Sequence, residues 1–137
     1  VASYNNFHEL RLRALPDDYA VVHLPLSSSP LPSCPAGAPL WSLTVSAVEY
    51  SLVLREADTA ALQSPGIQVS GSWAAFYLEG PIPFNLTGII ARLTVPLADA
   101  KVGCFVVSTF DSDFILIKKD DCGTALNAWQ QVGITTV

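Results

Sequence analysis

The order of hydrophobic periods after Gly71 is the tightest constraint in this chain. Gly71 begins a strand that runs over residues 73–79 and stops at Gly80-Pro81-Ile82-Pro83. Between residues 85 and 101, Leu86, Ile90, Leu93 and Leu97 recur at the spacing that lines one face of a helix. Asn85 or Thr87 can cap its start and Gly103 follows its end. Pro96 removes the bond to the Arg92 carbonyl, which predicts a weakened or kinked last turn. Residues 104–107 and 114–118 read as strands flanking the polar run from Ser108 to Asp113. Asp120 or Asp121 can cap a second helix carrying Ala125, Leu126 and Trp129, which Gly133 stops before a last strand at 134–137. Strand, helix, strand, strand, helix, strand is the split βαβ order of ferredoxin-like domains, an α+β fold.

The first half offers a similar series with one replacement. Leu10 and Leu12 alternate with Arg11 and Arg13, the period of a half-buried strand over residues 8–15. Pro16-Asp17-Asp18 reads as a turn, and residues 19–24 as an apolar strand. A Pro- and Ser-rich loop, residues 25–39, stands where a first helix would be. Residues 40–46 and 49–55 read as strands about a turn at Ala47-Val48, and residues 56–63 as a short helix ended by Ser64-Pro65-Gly66. After a polar tail, residues 1–7, the chain therefore divides into modules 8–68 and 70–137, the first lacking or shortening its first helix. A single sheet domain with no repeat fits the periodicity equally well.

Composition narrows the functions available. Charged residues make up 14% of the chain, where about 25% is usual, and half of it is hydrophobic. So few charges predict that some exposed surface is apolar and covered by another subunit, hence a homo-oligomer. A net charge of −5 with no basic run argues against a nucleic-acid partner. The longest stretch free of Asp, Glu, Lys and Arg, from Tyr19 to Val48, contains five prolines and cannot be a membrane helix. Cys34, Cys104 and Cys122 form neither a C-x-x-C pair nor an even set, so a reduced, cytoplasmic protein is expected.

The run GPIPFNLTGIIARLTVPLADAKVGCFVVSTFDSDFILI, from Gly80 to Ile117, resembles the ACT domain, the ligand-binding module of regulated amino-acid enzymes. Within that family it is similar to tandem ACT proteins of the small aspartokinase-regulatory type and to cytosolic arginine sensors. In the first half, LWSLTVSAVEYSLVL resembles the family's Ser-x-Thr hairpin and the strand after it. The resemblance implies paired βαββαβ modules with a free amino acid bound where they meet, no cofactor, no catalysis and a regulated partner protein. It implies that Phe84, Asn85 and Leu86 at the helix entry contact the ligand. Gly103 and Cys104 would offer main-chain groups to its α-amino and α-carboxylate groups, and Thr109, Phe110 and Asp113 would face its side chain. A carboxylate at Asp113 favours a cationic side chain through a charge-assisted hydrogen bond. Three departures stand out: the Pro/Ser loop, Gly103-Cys104 where relatives often carry Ser-Val or Ser-Ile, and Asn85-Leu86 where arginine-sensor relatives carry acidic acceptors.

Plainer readings accompany each of these residues. Asp111 and Asp113 can serve as turn formers, and Thr109 can bond its own loop. Phe84, Phe105 and Phe114 read as core, Cys104 as a small buried hydrophobe, and His23 as a strand histidine with its hydrogen bonds satisfied. Cys122 at a helix start would have its thiolate favoured. Asn85-Leu86-Thr87 has the spacing of a glycosylation sequon but reads as cap chemistry. No nucleophile elbow, Walker loop, dinucleotide fingerprint or zinc motif is present. The rival to an amino-acid binder is an ACT-like interaction module that oligomerises without a ligand.

Overall fold

The computed structural model describes residues 9–83 and 86–137. The expected tail, residues 1–7, lies outside them. Among the described residues, seven strands and two α-helices follow in the order β1 (Arg11–Leu24), β2 (Ser42–Val45), β3 (Tyr50–Arg55), β4 (Gln68–Leu78), α1 (Ile89–Asp99), β5 (Phe105–Ser108), β6 (Asp113–Lys118), α2 (Cys122–Gln131) and β7 (Thr135–Thr136). The expected helix at 56–63 is a short 3-10 helix, Glu56–Ala61, and another 3-10 turn, Lys119–Asp121, leads into α2.

The described residues pack as two units, Pro16–Trp73 and the segments on either side of it in the sequence. This division differs from consecutive halves, because β1 and β4 each run from one unit into the other. Pro16 does not break β1. The Leu10, Leu12 and Ala14 backbones bond Thr135 and Val137 on one side, whereas the Arg11 carbonyl accepts from Glu79 on the other. Strand alternation turns Pro16 to the first side, beyond the β7 pairing at Arg11 and Leu12 and before the β3 pairing that starts at Tyr19. A missing N–H there costs no ladder bond.

In the unit containing the C-terminus, β4-α1-β5-β6-α2-β7 reproduces the predicted βαββαβ order, and the strand path is β1-β4-β6-β5 with β7 beside β1. β7 pairs parallel to β1, and β5 antiparallel to β6. The core joins Leu10 and Leu12 of β1, Phe76 and Leu78 of β4, Leu93 and Leu97 of α1 and Trp129 of α2. Trp129 is fully buried, meets Phe76 edge to face at 5.4 Å, and donates its Nε1–H to the Leu93 carbonyl at 2.9 Å. Gly133 ends α2 as expected: with φ +81°, its N–H reaches the Gln130 carbonyl at 3.1 Å, and the Ile134 N–H reaches Trp129 at 3.0 Å. Those are the two bonds of a Schellman cap.

α1 departs from expectation at both ends. It begins at Gly88, φ +82°, with no side-chain cap, so Thr87 does not close it. Asn85 lies outside the described residues. At its other end Lys101, not Gly103, takes the left-handed conformation, φ +61°, with its N–H on Ala98 and the Val102 N–H on Leu97. The helix continues past Pro96 to Asp99, keeping Leu97 buried.

In the unit Pro16–Trp73, β3 pairs antiparallel with both β1 and β2. Ala20, Val22, Leu24, Leu52 and Leu54 form its core, with Leu62 and Ile67 packed against it. It contains no α-helix. β4 carries a kink at Gly71-Ser72, where Ser72 has φ +61° and donates its N–H to Glu56 Oε1 at 3.0 Å. A Cβ at Gly71 would fall 2.1 Å from that oxygen, so any side chain there would push the Glu56 carboxylate aside. Buried Tyr19 and half-buried His23 leave Oη and Nδ1, both shielded from solvent, without partners among the described residues, so His23 is not the satisfied strand histidine expected.

Candidate functional site

The turn between β5 and β6 builds one wall of a cleft. The register ends at Ser108 opposite Asp113, leaving a four-residue loop, 109–112. The Thr109 N–H donates to the Ser112 carbonyl at 2.8 Å, and the Thr109 hydroxyl donates to the same oxygen at 3.0 Å. This is the local bonding expected of Thr109, and it closes the loop tightly. Ser112 Oγ donates to the Leu78 carbonyl at 2.6 Å, tying the loop to β4. The Ile82 N–H donates to the Asp111 carbonyl at 2.7 Å, so Asp111 serves the turn through its backbone. Gly80 permits this approach, since a Cβ there would sit 2.9 Å from the Asp111 oxygen.

Asp113 is buried, and its Oδ1 accepts from Ser108 Oγ at 2.5 Å. Among the described residues it has no ion-pair partner. The opposite wall is the start of α1. Its first intrahelical bond runs from the Arg92 N–H to the Gly88 carbonyl, so the N–H groups of Ile89, Ile90 and Ala91 have no acceptor inside the helix. No acidic side chain lies in that first turn to offset the positive end of the helix dipole.

These walls enclose a cleft of about 450 Å³ lined by Ile82, Pro83, Leu86, Gly88 to Ala91, Ser108 to Phe110, Ser112 and Asp113. All of these residues belong to the unit containing the C-terminus. Phe110 is 78% exposed at the rim. The cleft therefore offers N–H donors, one buried carboxylate, a ring and apolar walls: complementary ends for a molecule bearing both charges.

Of the residues singled out from sequence, Leu86, Thr109, Phe110 and Asp113 meet in this cleft. Phe84 and Asn85 lie outside the described residues. Gly103 and Cys104 do not line it, because they follow the C-terminal end of α1 whereas the cleft opens on its N-terminal end. Cys104 is exposed, not buried as its apolar neighbours suggest. Half-buried Cys122 has its thiol pKa raised by burial and then by Asp121, opposite to the thiolate expected at a helix start. Phe105 and Phe114 are half-buried, and Phe114 lies against Tyr77 at 4.9 Å. Ser108 and Ser112 enter the sequence reading only as members of the polar run, not as site residues. A hairpin folded about 109–112 would have placed Ser108 opposite Asp113.

Among the described residues, no three His, Cys, Asp or Glu side chains group to hold a metal, and no helix is long and apolar enough to cross a membrane.

Residues 68–131 match the family model of the ACT domain. The human cytosolic arginine sensor for mTORC1 subunit 1 is 28% identical over 111 residues, which cover 77% of this chain and 32% of that protein. The chain thus spans about a third of the length of the curated relatives it matches first. A solved structure from Agrobacterium tumefaciens superposes with a TM-score of 0.79 at 27% identity, covering 95% of this chain and 93% of the other. The ligand-free regulatory subunit of Thermus thermophilus aspartate kinase shares the fold, with a TM-score of 0.56 at 12% identity over 84% and 92% of the two chains. The fold is ACT-like, mixed α/β, and its similarities run to regulatory, amino-acid-sensing proteins.

Proposed function

We propose that this chain is a non-catalytic regulatory protein that binds a free amino acid in the cleft between the start of α1 and the β5–β6 turn. The carrying observation is buried Asp113, which has no ion-pair partner among the described residues, facing the same cleft as a helix N-terminus with no acidic side chain in its first turn. A zwitterion needs both: N–H donors for its carboxylate, and an oxygen acceptor for a cationic group. The N–H groups of Ile89–Ala91 take the α-carboxylate in this reading, Asp113 takes a cationic side chain, and Phe110 covers it. The role assigned earlier to Gly103 and Cys104 passes to the helix start. Similarity to an arginine sensor supports the ligand class, and the ACT match over 68–131 contains the whole cleft.

Isothermal titration with the common amino acids tests the reading. Saturable binding of at least one cationic amino acid is expected, with a matching rise in melting temperature by mass action. Heat from none of them overturns it. A cytoplasmic location, a regulated partner protein and a second, reduced ACT-like module in Pro16–Trp73 belong to the same proposal.

One observation favours self-association alongside ligand binding. β5 ends its strand path, and Phe105–Ser108 contains no charge to discourage pairing with another strand. Light scattering of Val107→Lys against the wild type reads this directly: a smaller species is expected, and an unchanged mass removes β5 from the interface.

A further inference from the structure

The Pro/Ser-rich loop, which the amino-acid reading leaves unused, builds a second cavity. It lies within the unit Pro16–Trp73, about 490 Å³ in volume, between the loop and the segment that follows the 3-10 helix. Leu24, Leu62 and Ile67 supply apolar walls, and Ser27, Ser28 and Gln63 supply hydrogen-bonding groups. None of its lining residues is ionisable. Pro30, Pro32 and Pro65 restrict the backbone of both rims, so the shape exists before anything enters it. Ser28 holds the loop start through its N–H, which donates to the Pro25 carbonyl at 2.9 Å. Its hydroxyl is buried and has no partner among the described residues. Buried hydroxyls are ordinarily paired, and rotation of a serine between staggered wells turns the group to a new partner at little cost.

We propose that this cavity is a second binding site, for an uncharged small molecule that joins an apolar face to a hydroxyl or carboxamide group bonded by Ser28. The neutral lining decides the class. A carboxylate or ammonium would be desolvated here with no side-chain counter-charge, whereas a neutral amide or alcohol exchanges water for the serine and glutamine groups. The site is separate from the amino-acid cleft and stands whether or not that cleft is occupied.

Amide chemical shifts of the full chain, titrated with nicotinamide, cyclohexane-1,2-diol and, as a charged match to the first, nicotinate, test the assignment. Saturable shifts confined to residues 27–33 and 62–67 are expected with at least one neutral probe and not with nicotinate. Ser28→Ala should weaken that binding about tenfold, the worth of one hydrogen bond. Ser33→Phe at the exposed rim should block it without touching the buried hydroxyl. No saturable shift from either neutral probe, equal binding of nicotinate, or neutral binding that Ser28→Ala and Ser33→Phe both leave unchanged would overturn the proposal. A water that bonds Ser28 and that no probe displaces would overturn it too.

Discussion

Asp113→Asn separates charge from shape in the cleft. Asparagine keeps an oxygen to accept the Ser108 hydroxyl, which the carboxylate does at 2.5 Å, so the turn at 109–112 has no reason to move. What disappears is the buried negative charge. A hydrogen bond to a charged group contributes roughly 1.5–3 kcal/mol and a neutral one about 1 kcal/mol, so the substitution should cost a cationic ligand about 0.5–2 kcal/mol. That is roughly a 2- to 30-fold rise in Kd for lysine or arginine. A ligand with a neutral side chain should change by about threefold or less, since it never used the charge. Titration calorimetry of both variants against one cationic and one neutral amino acid reads the contrast, and a melting curve checks that the fold is retained. Equal binding of the cationic ligand by Asp113→Asn would falsify the assignment of Asp113 to the side chain. A parallel loss for both ligands would place the carboxylate on the α-ammonium instead.

Four further outcomes follow from the geometry. Gly80→Ala puts a Cβ 2.9 Å from the Asp111 carbonyl, so it should lower stability by about 1–3 kcal/mol in denaturant titration and weaken ligand binding through the displaced turn. Lys101→Gly should raise stability by roughly 1 kcal/mol, because φ +61° is strained for lysine and free for glycine; an unchanged or lower midpoint would refute the cap. Trp129→Phe removes the bond to the Leu93 carbonyl and part of a fully buried ring, with an expected loss of about 2 kcal/mol in the same assay. The Glu79 carboxyl is held below its usual pKa of 4.5 by hydrogen bonding to Arg13, and further by Arg11. Its stabilising contribution is therefore present above pH 4.5 and lost as pH falls below it. Melting of Glu79→Gln should approach that of the wild type in acid, and added salt should shrink the gap because the guanidinium groups are exposed.

Local chemistry was readable wherever one residue's own conformational preference decides the outcome. Gly133 closes α2 because a left-handed residue is needed there, and the spacing of Leu93 and Leu97 set the inner face of α1 before any neighbour was known. Leu10 and Leu12 are buried where strand alternation put them. Thr109, Phe110 and Asp113 were singled out through the resemblance to the ACT domain, whereas their residue types alone read as a turn, and the fold brings them together along one cleft.

Only the tertiary structure decided the rest, and in each case through a partner far along the chain. Pro16 reads as a break, yet it stays within β1 because its missing N–H falls between two pairing strands. Gly103 looks like the stop of α1, but the chain turns two residues earlier at Lys101, where Val102 must bury its side chain against the core. The cleft opens on the start of that helix rather than its exit because Ser112 is bonded to Leu78, and Ile82 to Asp111, across gaps that no local period encodes. Periodicity records which side of an element faces the core; which end of it faces the ligand depends on contacts that exist only after the chain has folded.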